Sequence, residues 1–221
     1  AAKDRERPRL WVDRAFAARG AGTVVTGMLT DGVLSVGDEV EVQPAGVGAR
    51  IRALQNHYEE REELPPGTRC ALNLVGVAHT QVQRGDVVVG PGQWHLATVV
   101  DASLQVLDQL DHSVSRRGAY VAYLGAGEHP VRMRILGPEA LGPGREGSVR
   151  LFLPRSLPLL PGDRFVLRES GRSETVGGGC VLDVDPRERA SRARPDRSVD
   201  RVVRERGWVD SDELERLTGE R

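Results

Sequence analysis

From Leu10 to Val89 the apolar residues come in short, β-branched runs separated by turn residues, and no segment there keeps a helical period. The runs predict strands over Leu10–Phe16, Thr23–Leu29, Asp38–Val42, Ala49–Leu54, Arg69–Leu74 and Asp86–Val89. Gly20, Gly22, Gly27, Gly32, Gly37, Gly67 and Gly85 fall between or at the edges of these runs, where tight corners are needed. Many short strands with glycine corners predict a closed barrel. Gly90-Pro91-Gly92 interrupts the pattern, and a second series follows near Thr98–Val106, Ala119–Leu124, Val131–Leu136, Ser148–Leu153, Arg164–Arg168 and Cys180–Val184. The expected fold is mainly β, two consecutive small β-barrels over residues 8–92 and 93–186.

After Pro186 the chain turns abruptly to a charged stretch running to Pro195 with almost nothing to bury, which predicts a linker. Beyond it, Val199, Val202 and Val203 share one face of a segment that stops at Gly207, and Asp210 with Glu213 forms a capping box ahead of Leu214 and Leu217. Two short helices are expected, so residues 187–221 read as a linker and the start of a truncated third domain. The chain opens at Ala1-Ala2-Lys3-Asp4 without an initiator Met, and it is expected to be cut from a longer protein, with residues 1–7 a remnant of a preceding linker.

Composition adds to this picture in three places. Aromatics make up only 4% against 26 Gly and 13 Pro, so the cores must be built from Val, Leu, Ile and Ala between many turns. The formal net charge of -1 supplies no global field for a polyanion, although 31 basic residues can still be sorted onto one face. Lys3 is the only lysine, so nearly all positive charge sits on guanidinium groups able to grip an anion with paired hydrogen bonds. Cys70 and Cys180 belong to no metal-ligand spacing and read as reduced core residues of a cytoplasmic protein, and no apolar run is long enough to span a bilayer.

Catalytic equipment is not found: there is no Gly-x-x-x-x-Gly-Lys-Ser/Thr, no metal-spaced His pair and no Gly-x-Ser-x-Gly elbow. The fragment itself is therefore expected to be no enzyme, with no cofactor and no metal site. Gly177-Gly178-Gly179 lies between two predicted strands with no helix after it, so a tight inter-strand turn is expected there rather than a phosphate loop.

The strongest local signal is Phe16-x-x-x-Gly20-Ala21-Gly22-Thr23-Val24-Val25-Thr26-Gly27, followed by Gly32, Gly37 and Asp38. It resembles the second domain of translational GTPases. Arg168-Glu169-Ser170-Gly171-Arg172 and then Thr175-Val176-Gly177-Gly178-Gly179-Cys180-Val181 resemble the end of domain three in the elongation factor Tu group. Val12-Asp13-Arg14-Ala15-Phe16 joined to the first motif, and the helices after Pro186, are most similar to the selenocysteine-specific factors of the SelB family. The resemblance covers residues 8–186 well and 196–218 weakly. Met28 departs from it, standing where a small polar residue such as Thr is expected.

The resemblance implies a partner and a site. SelB-like factors recognise the selenocysteine moiety of selenocysteinyl-tRNA through domain two, and the residues that match by motif are Asp13, Arg14 and Arg69. A selenol is anionic at neutral pH while the competing serine is neutral, so two buried guanidiniums would discriminate by charge, with Asp13 orienting an arginine or limiting excess charge. A regular strand places Asp13 and Arg14 on opposite faces, so both line one pocket only if the strand ends, twists or bulges. By residue chemistry alone the three are ordinary rim ion pairs. For the tRNA acceptor and T stems the resemblance points to Arg172, with Arg117, His129, Arg132 and Arg134 beside it, and to His57 and Tyr58 near the terminal adenosine. It further implies the ribosome as partner, an mRNA element read by downstream winged-helix domains, and GTP with Mg on a GTPase domain outside this sequence. A general elongation or initiation factor, and the barrels of a sulfate-activating GTPase, are the rival readings.

Overall fold

Alternation of buried and exposed residues carries the first barrel. In the strand Thr68–Val75, Cys70, Leu72 and Leu74 are buried while Arg69 and Val75 are exposed, as a two-residue period dictates. The computed structural model describes residues 2–18 and 22–220; Gly20 and Ala21 of the glycine motif lie outside the described residues. Six strands, β1 (Arg9–Ala18), β2 (Gly22–Thr30), β3 (Glu39–Gln43), β4 (Val47–Asn56), β5 (Thr68–Val75) and β6 (Val87–Val89), pair antiparallel in the order β3-β6-β1-β2-β5-β4. Pairing of β4 back onto β3 closes the barrel, and Glu59–Arg61 adds a short ribbon beside β4. Leu10, Val12, Val25, Leu29, Ile51 and Leu72 fill its interior, each stabilising the fold by about 1.5–3 kcal/mol relative to exposure.

The second barrel uses β7 (Leu96–Val106), β8 (Tyr120–Leu124), β9 (Gly127–Leu136), β10 (Glu146–Pro158), β11 (Arg164–Glu169) and β12 (Glu174–Asp183), closed in the order β7-β10-β9-β8-β11-β12. Val100, Leu104, Leu124, Leu151, Leu167 and Val181 are buried in it. The expectation of a turn at Gly177–Gly179 is corrected: the three glycines lie inside β12. A Cβ on Gly179 would stand 1.8 Å from the Ser103 carbonyl oxygen of β7, and one on Gly178 2.7 Å from that of Phe165 in β11. Glycine is required there because two neighbouring backbones approach too closely for any side chain. Residues up to Trp94, with Gly125–Gly127, form one compact unit, and His95–Leu124 with the chain from Glu128 form the other.

Helices α1 (Val199–Arg206) and α2 (Ser211–Thr218) follow the barrels. Ser198 caps α1 by accepting from the Arg201 amide, and Asp210 caps α2 by accepting from that of Glu213. The charged stretch before them has more to bury than its composition suggests: amides of Arg192 and Ala193 close a turn on the Arg189 carbonyl, and Ala193 is 4% exposed. Both cysteines are free. Cys70 is a core residue whose thiol burial pushes up to about 12, whereas Cys180, expected in the core, is half-buried with its sulfur 3.4 Å from Ser103 Oγ. Among the described residues no helix is long and apolar enough to cross a membrane.

Candidate anion-binding site

The pairing of β1 with β2 runs in register as far as Val12 opposite Gly27 and resumes with Arg14 opposite Thr26, leaving Asp13 as an extra residue in a β-bulge. Gly27 makes the bulge possible. A Cβ there would stand 2.1 Å from the Trp11 carbonyl oxygen, so only glycine lets the two backbones meet at this level.

Insertion of one residue shifts the alternation of β1. Val12 faces the core and is fully buried, and both Asp13 and Arg14 then stand on the outer face beside Thr26. On the far side of β2, Met28 pairs with Arg69 and Thr26 with Ala71 of β5, so Arg69 belongs to the same outer face. The three residues matched by resemblance are thus brought together on one surface of the first barrel.

Their geometry is specific. Thr26 Oγ1 donates to Asp13 Oδ1 at 2.5 Å, and an Arg69 guanidinium nitrogen donates to the other oxygen, Oδ2. The Arg69 carbonyl in turn accepts from Asn56 Nδ2 at 2.7 Å. Partial burial raises the Asp13 carboxyl, but the hydrogen bonds from Thr26 and Arg69 and the charges of Arg69 and Arg14 outweigh it and hold the group below the usual carboxylate range. Asp13 is therefore ionised at neutral pH, and the cluster of Arg14, Arg69 and Asp13 carries one net positive charge.

One expectation needs correction here. The arginines are not buried in this chain: the Arg69 side chain is 57% exposed against 19% for Asp13, and Arg14 is exposed as well. An exposed ion pair of this kind contributes only about 0–1 kcal/mol to stability, so the guanidiniums remain available to a second anion. Met28, 43% exposed, adds an apolar, polarisable surface beside Arg69 in place of the small polar residue the resemblance led one to expect.

His57 and Tyr58 form the tip of the hairpin that joins β4 to Glu59–Arg61. Both are exposed, and both hold positive φ, 51° and 67°, which side chains larger than glycine adopt only against strain. In the second barrel, Arg172 and Arg117 are exposed on loops, and Arg132 and Arg134 project from the outer face of β9, Arg132 lying 5.0 Å over the Phe152 ring. Arg172 Nε lies 3.7 Å from Glu169, which also meets His112 Nε2 at 3.1 Å.

His129 does not join them. It occupies an inward position of β9, is 1% exposed, and has an Nε2 without a hydrogen-bond partner. Its place in the alternation, between Gly127 and Val131, makes it a core residue rather than a surface contact. Thr26 and His112 were not singled out from the sequence. Thr26 acquires its role only through the bulge, and nothing in the local sequence brings His112 to Glu169.

Comparison with known proteins assigns a domain model to each barrel. Residues 22–89 match the model of elongation factor Tu domain 2, and residues 96–188 match that of the selenocysteine-specific elongation factor β-barrel domain. Both barrels thus match domains of translation elongation factors, the second that of the selenocysteine-specific, or SelB, factors. It is 33% identical over 175 residues to the selenocysteine-specific elongation factor of Desulfomicrobium baculatum, spanning 79% of this chain and 28% of that protein. It is also 33% identical over 184 residues to elongation factor Tu 2 of Streptomyces avermitilis, 79% of this chain and 45% of the relative. The chain thus spans less than half the length of these relatives. Among solved structures, a bacterial selenocysteine-specific elongation factor superposes with a TM-score of 0.78 at 24% identity, covering 100% of this chain and 37% of that one. The apo form of SelB from Methanococcus maripaludis gives 0.70 at 21% identity, covering 84% and 44%. At such identities the two structures speak for the fold.

Proposed function

We propose that this chain is the tRNA-binding barrel region of a selenocysteine-specific elongation factor. The first barrel recognises the anionic selenocysteine side chain through Arg14 and Arg69, and the second holds the acceptor and T stems through Arg172, Arg117, Arg132 and Arg134. The observation that carries this reading is the bulge at Asp13, which turns Asp13 and Arg14 onto the face that bears Arg69.

The chemistry follows from charge. A selenolate can accept from both guanidiniums, each charge-assisted hydrogen bond contributing about 1.5–3 kcal/mol once water is excluded, whereas a neutral serine hydroxyl uses them poorly. Asp13 keeps the net charge of the cluster at one, so a monoanion neutralises it and more highly charged groups gain little. Because Arg14 and Arg69 stand open to solvent in this chain, full discrimination requires a second surface to cover the aminoacyl end. Stem recognition needs only phosphate and 2′-hydroxyl contacts, for which dispersed arginines on loops and outer strands suffice. His57, exposed at the hairpin tip, is assigned in this reading to the terminal nucleotide.

In this reading the whole protein works in the cytoplasm, delivers selenocysteinyl-tRNA to the ribosome in a GTP-dependent step, and continues from α1 and α2 into winged-helix domains that read an mRNA element. GTP and Mg are assigned in this reading to a GTPase domain outside this sequence. The sequence has no Gly-x-x-x-x-Gly-Lys-Ser/Thr, and no group of three or more His, Cys, Asp or Glu that could hold a metal occurs among the described residues. No step through the nucleotide is therefore assigned to it.

The test is the affinity of the full-length parent, in its GTP state, for selenocysteinyl- and seryl-tRNA. Arg69→Ala is expected to reduce the preference at least roughly tenfold, the equivalent of one charge-assisted hydrogen bond. A wild-type protein with no preference, or a preference that survives the substitution, would reject the reading; equal binding of both tRNAs would point to a general elongation factor.

A further inference from the structure

We infer that Thr26 is a positioning residue for this site: its hydroxyl fixes the Asp13 carboxylate on the bulge, and the fixed carboxylate holds the Arg69 guanidinium in place. The functional part of the inference rests on the reading above, but the positional part does not.

A bulge residue is held less firmly than a residue in the ladder, because it has no partner opposite. Asp13 is such a residue, yet its carboxylate is tied at both oxygens. Thr26 Oγ1 takes Oδ1 at 2.5 Å and Arg69 takes Oδ2. The two ties come from successive neighbours: Thr26 lies on β2, paired with Arg14 of β1 on one side and Ala71 of β5 on the other, and Arg69 lies two residues from Ala71 on the same face. Thr26 is β-branched on a strand, so its χ1 is restricted and the hydroxyl direction is set by the backbone. A hydroxyl aimed at one oxygen selects the carboxylate rotamer, and with it the direction of the other.

Arg69 has a flexible side chain, 57% exposed, and among the described residues its one side-chain partner is Asp13. Without a fixed Asp13 the guanidinium would sample many rotamers, and an incoming anion would have to order it at an entropic cost. Thr26 therefore acts on the ligand through two intermediaries without touching it. The charged groups that face Asp13 are Arg14 on its own strand and Arg69 on β5, and neither is altered by substitutions at Thr26.

The test uses Thr26→Val, which keeps the shape and removes the hydroxyl, and Thr26→Ser, which restores it. In the 221-residue chain, the Asp13 carboxyl followed by NMR should titrate higher in Thr26→Val than in wild type and return in Thr26→Ser. In the full-length parent, the preference for selenocysteinyl- over seryl-tRNA should fall roughly three- to tenfold in Thr26→Val, the range for one hydrogen bond, and recover in Thr26→Ser. An unmoved Asp13 titration in Thr26→Val, or failure of Thr26→Ser to restore it, overturns the inference. So does an unchanged tRNA preference in Thr26→Val when the wild-type preference is present. A wild-type protein without any preference rejects the proposed function instead, and the positional role then stands or falls by the titration.

Discussion

Protonating His129 would place a cation on a ring that is 1% exposed, near the Arg155 guanidinium, with Nε2 unpartnered. Burial first, and the Arg155 charge second, depress the imidazole from 6.5 to about 4, against a hydrogen bond to the Leu124 backbone that favours the charged form. The unfolded chain takes up the proton at the ordinary histidine value. Stability is therefore complete above about pH 6.5 and is lost as the pH falls towards about 4, by about 3 kcal/mol in total. The measurement is denaturant unfolding of the second barrel from pH 7.5 to 4 for wild type and His129→Phe. The stability of wild type relative to His129→Phe should fall by roughly that amount across the window, and a difference independent of pH would contradict the assignment of His129 as a neutral core residue.

Strands and their registers decide what a residue can do, and Gly27 is the sharpest case. It sits opposite Val12 at the start of the bulge with its α-carbon face against the Trp11 carbonyl. Gly27→Ala puts a methyl into backbone that cannot rotate away, and should cost about 1–3 kcal/mol or more while loosening Asp13 from Thr26. Gly48→Ala in β4, where nothing lies within 4 Å of the added carbon, should stay within about 0.5 kcal/mol. Thermal unfolding of the two variants separates a glycine needed for close approach from one that is merely present. The same distinction marks the limits of sequence reading. All twelve barrel strands were legible, because their alternation and β-branched content report burial directly. The run from Gly177 to Gly179 was not, since glycines inside a strand and glycines in a turn look alike until the neighbouring backbone is placed. Asp13 and Arg14 could be paired with Arg69 only through family resemblance. Their common face depends on a one-residue bulge, a property of pairing rather than of composition.

The chain of charges that links the second barrel to the helices gives the molecule a property no single element has. Asp101 of β7 and Asp183 of β12 are cross-strand partners, both buried, so two carboxylates face each other away from water. Each has its own guanidinium. Arg150 of β10 grips Asp101 through two hydrogen bonds of 2.6 and 2.8 Å, and Arg201 of α1 meets Asp183 at 2.7 Å while also bonding Asp196 and Glu205. Burial pushes the Asp101 carboxyl up, Arg150 pulls it down, and the neighbouring Asp183 adds to the upward push. The helix that follows the charged stretch is thus not tethered loosely: its arginine completes the charge balance of the barrel. Arg201→Met leaves Asp183 buried, uncompensated and opposite another carboxylate, which should cost about 3–5 kcal/mol and release α1, seen as faster proteolysis within residues 187–198. Adding Asp183→Asn removes the stranded charge, so the double variant should recover much of the lost stability without restoring the helix contact. If Arg201→Met alone leaves both stability and proteolysis unchanged, the helices are held by their apolar faces and the network is incidental; if the double variant recovers stability but still cleaves quickly, Arg201 is what fixes the helical segment to the barrel.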